Sequence, residues 1–137
     1  MANDLRVSID TNSYDKFIEG KATKLKEMVV GGCEILMPFI VVAELRAGFQ
    51  KGNRMTKNYA KLDAFLASER VTVLFPNHET LEIYARLWAE LALKGTPIPT
   101  NDLWIATLSL QYTCTLATND RHFNHVPLLQ TVAPNQA

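Results

Sequence analysis

Fourteen of the 137 residues are acidic, and most of them sit in polar surroundings or beside Lys or Arg, as solvated acids do. Four do not. Asp10 directly follows the alternating stretch Leu5-Arg6-Val7-Ser8-Ile9, and Asp120 follows Thr115-Leu116-Ala117 through Thr118-Asn119. Asp102 falls in the first turn of a predicted helix, just ahead of Leu103, Trp104, Ile105 and Ala106, and Glu44 is enclosed in Val41-Val42-Ala43-Glu44-Leu45. Each acid taken singly has a plain structural use. Asp10 and Asp120 suit turns or helix caps, Asp102 suits a helix dipole, and Glu44 suits the edge of an apolar stripe. As a set they suit chemistry better. Acids at strand ends and on flanking helices meet over the carboxyl edge of a parallel sheet, where α/β proteins build their sites. Carboxylates held close repel, and either some stay protonated or a divalent cation joins them. Oxygen-only ligation selects hard ions, Mg²⁺ or Mn²⁺ rather than Zn²⁺. Such ions polarise a phosphodiester and acidify bound water, which supplies a nucleophile without a catalytic histidine.

Elements that bring such acids together are legible along the chain. Strands are predicted at 5–9, 34–37, 71–74 and 115–117, with a fifth at 128–131; helices are predicted at 13–18, 21–30, 38–50, 55–68, 79–94 and 100–112. Pro38 is read as the first residue of its helix and Thr100 as the cap of another. Gly52-Asn53 turns the third helix back on the fourth, which predicts a helical-hairpin arm. The stretch 79–94 carries Leu81, Tyr84, Ala85, Trp88, Leu91 and Ala92 at helical spacing, which predicts a buried stripe including Trp88. Trp104 is read as core as well. Strands separated by helices predict βαβ units, so the expected fold class is α/β: a three-layer domain with a mainly parallel central sheet flanked by helices. The length predicts one domain over 1–137.

Composition narrows the partners. Fourteen basic and fourteen acidic residues cancel, which excludes a uniformly basic nucleic-acid surface. The signs are nonetheless sorted: Arg46, Lys51, Arg54, Lys57 and Lys61 occur with no acid among them, a solvated face or a phosphate-contacting one. The longest apolar run, 35–43, is nine residues and contains a proline, far short of the ~18 a bilayer span needs. With no basic-then-apolar leader at the start, a cytoplasmic protein without membrane association is expected. Cys33 and Cys114 stand far apart with no CxxC pair, which predicts two reduced, buried thiols. His122 and His125 lack a third nitrogen or sulfur ligand nearby in sequence and are read as surface or edge packing.

Four motifs surround the four acids in order: Ile9-Asp10-Thr11-Asn12, then Val41-Val42-Ala43-Glu44-Leu45-Arg46-Ala47-Gly48, then Pro97-Ile98-Pro99-Thr100-Asn101-Asp102-Leu103-Trp104-Ile105-Ala106, then Ala117-Thr118-Asn119-Asp120-Arg121-His122-Phe123. On these motifs the chain resembles the PIN-domain ribonucleases, and within them the VapC-type toxins of bacterial toxin–antitoxin pairs, from residue 7 to about residue 129. It departs from the family pattern at Val126-Pro127-Leu128-Leu129, where a glycine is common. The resemblance implies a PIN-like fold and RNA hydrolysis dependent on Mg²⁺ or Mn²⁺. It implies that Asp10, Glu44, Asp102 and Asp120 are the catalytic, metal-binding acids, with Thr11, Asn12 and Thr118 holding the acids or a water beside the metal. It further implies a homodimer inhibited by a cognate antitoxin protein; from the charge sorting, and not from the resemblance, Arg46, Arg54, Lys57 and Lys61 are candidate RNA contacts. A catalytically silent PIN-like RNA-binding or scaffolding module is the competing expectation. A receiver-like domain is disfavoured because Thr11-Asn12 follow Asp10 and no lysine occurs after Lys94.

Overall fold

A computed structural model describes residues 5–135. The chain runs β1 (Arg6–Ile9), α1 (Thr11–Ile18), α2 (Thr23–Val30), β2 (Glu34–Pro38), α3 (Phe39–Lys51), α4 (Met55–Leu66), β3 (Val71–Leu74), α5 (His78–Leu93), α6 (Thr100–Gln111), β4 (Thr115–Ala117), a 3₁₀ turn (Arg121–His125) and β5 (Thr131–Val132). The strands form one five-stranded sheet in the order β3-β2-β1-β4-β5, with every pairing parallel. Helices close both faces, so the inner strands are buried on both sides. That is why β2 reads as the unbroken apolar run Ile35-Leu36-Met37 rather than an alternation. Val7, Ile9, Met37, Val41, Leu62, Leu91, Leu116 and Phe123 belong to the central core, and within β1 the buried Ser8 hydroxyl meets the Ser109 hydroxyl at 2.6 Å. Both thiols are buried and unpaired. Among the described residues no helix is long and apolar enough to cross a membrane.

The strand order explains where a site belongs. From β1 the chain moves outward through β2 to β3, then returns across the sheet to β4 and continues to β5. The order reverses between β1 and β4, and the connections leaving their carboxyl ends diverge to leave a crevice. Asp10 and Asp120 lie at those two ends.

Several predicted boundaries shift for local reasons. Pro38 ends β2 and Pro99 precedes α6; their ψ values of 138° and 148° are extended, so the helices begin at Phe39 and Thr100. A proline φ near −60° suits a helix start and an extended segment equally, and ψ decides. Thr100 is therefore the first helical residue, not its cap. Asp10 is the N-cap of α1, which starts at Thr11, two residues before the expected position. Leu128 has φ +66° and is 94% exposed, so β5 cannot begin there and forms at Thr131–Val132. The largest correction concerns α5. Its apolar residues cover more of its circumference than the fold does. Thr80, Leu87 and Leu91 are buried and Tyr84 is half-buried, while Leu81 and Trp88 face outward, Trp88 at 60% exposure. Trp88 is not core. Trp104 is half-buried between Phe39 and Tyr84.

Candidate functional site

The site grows from the first turn after β1. Asp10 is extended (φ −91°, ψ 179°), and its Oδ1 accepts the Ser13 N–H at 2.9 Å. The other oxygen accepts from Thr118 Oγ1 at 2.5 Å. Asp10 is 7% exposed, so both oxygens are positioned by protein donors rather than by bulk water. Ser13 also donates through Oγ to the carbonyl of Ala117 at 2.7 Å, which pins the start of α1 to the end of β4. Thr118 makes a second bond, in which its Oγ1 accepts the Asp120 N–H at 2.9 Å. One hydroxyl thus couples the two strand-end acids.

Glu44 reaches the same region from α3, about one and a half turns past the end of β2. Thr11 Oγ1 donates to its Oε1 at 2.9 Å and Asn101 Nδ2 donates to its Oε2 at 3.1 Å. The carboxylate is therefore clasped between the starts of α1 and α6. Asp102 occupies the first turn of α6, next to Asn101. Asp120 caps the 3₁₀ turn, its Oδ1 accepting the His122 N–H at 2.9 Å. The His122 ring closes the set, with Nδ1 3.1 Å from Asp102 Oδ2 and 3.1 Å from Asp120 Oδ1. Donor atoms of Asp102, Asp120 and His122 lie within 4.8 Å of one another. A chain of hydrogen bonds thus links Asp10 to Asp120 through Thr118, and Asp120 to Asp102 through His122. Glu44 is tied to both flanks by Thr11 and Asn101.

Electrostatics agree with the crowding. Burial pushes the Asp102 carboxyl above its ordinary value of 3.8. The His122 hydrogen bond opposes that shift, and the negative charges of Asp120 and Glu44 reinforce it. Asp15, one turn further along α1, is also raised, first by burial and then by Glu19 and Asp10. The region is an accumulation of negative charge at a sheet edge, the setting that a divalent cation relieves. The donor chemistry fits such an ion: mostly oxygen, with one imidazole nitrogen.

All four acids chosen from context are thereby joined, together with Thr11 and Thr118. Asn12 is exposed at the start of α1 and makes no side-chain hydrogen bond to the acids among the described residues. Of the basic residues, Arg54 and Lys61 line a cleft of about 300 Å³ with Tyr14, Asp15, Ile18, Glu19, Phe49 and Asn58. Lys57 and Arg54 sit at the tip of the α3–α4 hairpin, whereas Arg46 lies beside a separate apolar hollow with Phe39, Leu66 and Phe75. Three participants are not singled out by the sequence as site residues: Ser13, Asn101 and His122. Asn101 and Ser13 stand within three residues of a chosen acid in the first turns of helices, which is a usable signal. His122, read as surface or edge packing, is indeed exposed, but its ring also bridges two acids, because the unpredicted 3₁₀ turn folds it back over Asp120.

The sequence profile of the PIN domain family matches residues 9–129, and the chain belongs to that family. It is similar to Ribonuclease VapC2 of Rickettsia felis, 34% identical over 104 residues, covering 75% of this chain and 76% of the relative. It is also similar to Ribonuclease VapC1 of Haemophilus influenzae strain R2866, 30% identical over 126 residues, covering 89% and 92%. Among solved structures, VapBC2 from Rickettsia felis bound to a DNA fragment from its promoter superposes with a TM-score of 0.83 at 29% identity. That match covers 94% of this chain and 98% of the other.

Proposed function

We propose that this chain is the endoribonuclease toxin of a toxin–antitoxin pair, hydrolysing RNA phosphodiesters at the pocket formed by Asp10, Glu44, Asp102 and Asp120. The observation that carries this reading is that Asp10, Asp102 and Asp120, from distant parts of the chain, meet in one hydrogen-bonded set at the ends of β1 and β4, with Glu44 held beside them by the side chains of Thr11 and Asn101. Similarity to proteins named Ribonuclease VapC supports it. A divalent ion, Mg²⁺ or Mn²⁺, would be held by these carboxylates; when bound it supplies charge neutralisation at the scissile phosphate and acidification of water. The chain's own contribution is positional. Ser13 and Thr118 fix both oxygens of Asp10, and Thr11 and Asn101 fix those of Glu44, so that no rotamer search is left when the substrate arrives. Asn12, exposed at the rim, is free to hold a water there.

The deciding experiment is cleavage of labelled RNA by the purified protein. Cutting is expected with Mg²⁺ or Mn²⁺ and is expected to stop on adding EDTA. A folded protein that binds RNA but never cuts it would instead be the silent module.

The basic side of the cleft suits the RNA backbone. Replacing Arg54, Lys57 and Lys61 together by Gln is expected to weaken RNA binding. It should also flatten the slope of log affinity against log salt by up to about 2, since each lost phosphate contact on a single strand is worth about 0.7. An unchanged slope would mean that these residues are merely solvated.

The partner we infer is an antitoxin protein, a reading supported by similarity to the VapBC2 structure from Rickettsia felis. The cleft between α1 and the α3–α4 hairpin has an aromatic floor of Tyr14 and Phe49, with Phe49 packed edge-on against Tyr59 at 5.4 Å. Its walls carry Asp15 and Glu19 opposite Arg54 and Lys61. An antitoxin segment laid along it buries apolar surface there and brings an arginine to the acids, where a guanidinium pairs with a carboxylate in a bidentate fork. Phe49→Asp is expected to raise the dissociation constant of the complex about tenfold or more without removing metal-dependent RNA cleavage. Calorimetric titration with the antitoxin reads the first and the RNA assay the second. Self-association is the remaining reading: the outward residues Leu81, Ala85, Trp88 and Ala92 on α5 make an apolar stripe suited to a second copy, and sedimentation at micromolar concentration tests for the dimer mass.

A further inference from the structure

The acid pocket is chemically lopsided. On one side Asp10 and Glu44 offer oxygen alone, and their oxygens are already engaged by Ser13, Thr118, Thr11 and Asn101. On the other side the nitrogen of His122 stands 3.1 Å from an oxygen of each of its two acids. The three side chains there are open to solvent to different extents: Asp102 at 19%, Asp120 at 37% and His122 at 51%. Their donor atoms all lie within 4.8 Å of one another, close enough to share one ion. The ring is held at its root, because the His122 N–H is bonded to Asp120 Oδ1 and the 3₁₀ turn fixes the backbone. With a proton on Nε2, at the exposed edge, Nδ1 presents a lone pair to the same point as the two carboxylates.

Resting on the reading of this pocket as a divalent-metal site, we propose that His122 is itself a metal ligand through Nδ1 and that it gives the pocket a preference for Mn²⁺ over Mg²⁺. Mg²⁺ is the harder ion, takes oxygen and keeps its waters, and gains little from imidazole. Divalent transition ions bind nitrogen more strongly than Mg²⁺ does, and Mn²⁺, although the weakest of their series and otherwise suited to oxygen, shares enough of that character to gain more from one imidazole than Mg²⁺. A pocket of carboxylates alone would discriminate weakly between the two ions. One nitrogen replacing one oxygen tilts the balance without preventing either from binding.

The test is direct metal binding, with RNA absent. Loss of the free Mn²⁺ signal in electron paramagnetic resonance gives the Mn²⁺ affinity, and competition with added Mg²⁺ gives the other. In wild type, electron spin echo modulation of bound Mn²⁺ should show coupling to a nitrogen, and His122→Ala should abolish it. The same variant should bind Mn²⁺ about tenfold more weakly or worse, with Mg²⁺ affinity changed less than about threefold. His122→Asp should keep metal binding but lose the preference. Thermal melting of each metal-free variant establishes that it is folded. Absence of nitrogen coupling in wild type overturns the proposal. So does unchanged or tighter Mn²⁺ binding in His122→Ala, which would make the ring a stand-in cation between the acids. Equal losses for both ions overturn it as well. The pocket itself is tested separately by Asp10→Asn: if wild type and that variant bind Mn²⁺ alike, or neither binds it, the metal-site reading fails along with the inference.

Discussion

Asp10→Asn removes RNA cleavage, with an expected loss of at least about 100-fold, and leaves the fold standing. The asymmetry between these effects follows from what Asp10 touches. As the N-cap of α1 it accepts the Ser13 N–H, and asparagine caps a helix about as well as aspartate. The second oxygen faces the Thr118 hydroxyl. An amide NH₂ placed there reverses that bond, since Thr118 can accept where it formerly donated. Shape and capping are thus preserved while the negative charge is lost, and a charge aimed at the reacting centre is commonly worth 10²–10³ in rate. Melting temperature within a few degrees of wild type, alongside cleavage reduced to the detection limit, is the expected pair of readings. Near wild-type cutting would remove Asp10 from the catalytic set.

Asp102→Asn carries a second large effect, on activity and on stability in opposite directions. The Asp102 carboxyl is held above its ordinary value of 3.8, mainly by burial, with Asp120 and Glu44 adding and His122 opposing. A raised value means that the native state keeps this proton more tightly than the unfolded chain does. Stability therefore falls as pH climbs through the window between the unfolded value and the raised native one, and the full cost persists at neutral pH. Asparagine carries no such cost. Without metal at pH 7 the variant is expected to melt a few degrees higher than wild type. The difference should shrink as pH falls through the window and vanish well below the ordinary value of 3.8, where the aspartate is protonated in both states. Adding Mn²⁺ should raise the wild-type melting temperature and leave the variant nearly unmoved, and RNA cleavage by the variant should drop at least about 100-fold. A variant that melts below wild type at pH 7 would contradict the electrostatic account.

The same acids show what a sequence exposes and what it conceals. Asp10, Glu44, Asp102 and Asp120 are legible because each is an acid in apolar or strand-end company, where a solvated carboxylate has little reason to sit. The parallel sheet is legible because its strands alternate with helices. His122 is hidden because its importance comes from a 3₁₀ turn of five residues, Arg121–His125, too short to leave a periodic trace. Asn101 is hidden because its partner, Glu44, is 57 positions away. Trp88 is misplaced by its spacing because periodicity reports that a helix has an apolar side, not how much of that side the rest of the fold covers. Pro38 misleads by one residue because a fixed φ leaves ψ undecided, and Thr100 because a threonine suits a cap and a first helical position alike.

The distance in sequence between Asp10 and Thr118, 108 positions, has a consequence during synthesis. Asp10 is synthesised well before the hydroxyl that orients it and before Asp102, Asp120 and His122. The cleft with Tyr14, Phe49, Arg54 and Lys61 is drawn wholly from residues made in the first half. The residues of the cleft proposed for the antitoxin thus precede most of the acid set, and a chain cut before residue 100 would keep every one of them while lacking Asp102, Asp120 and His122.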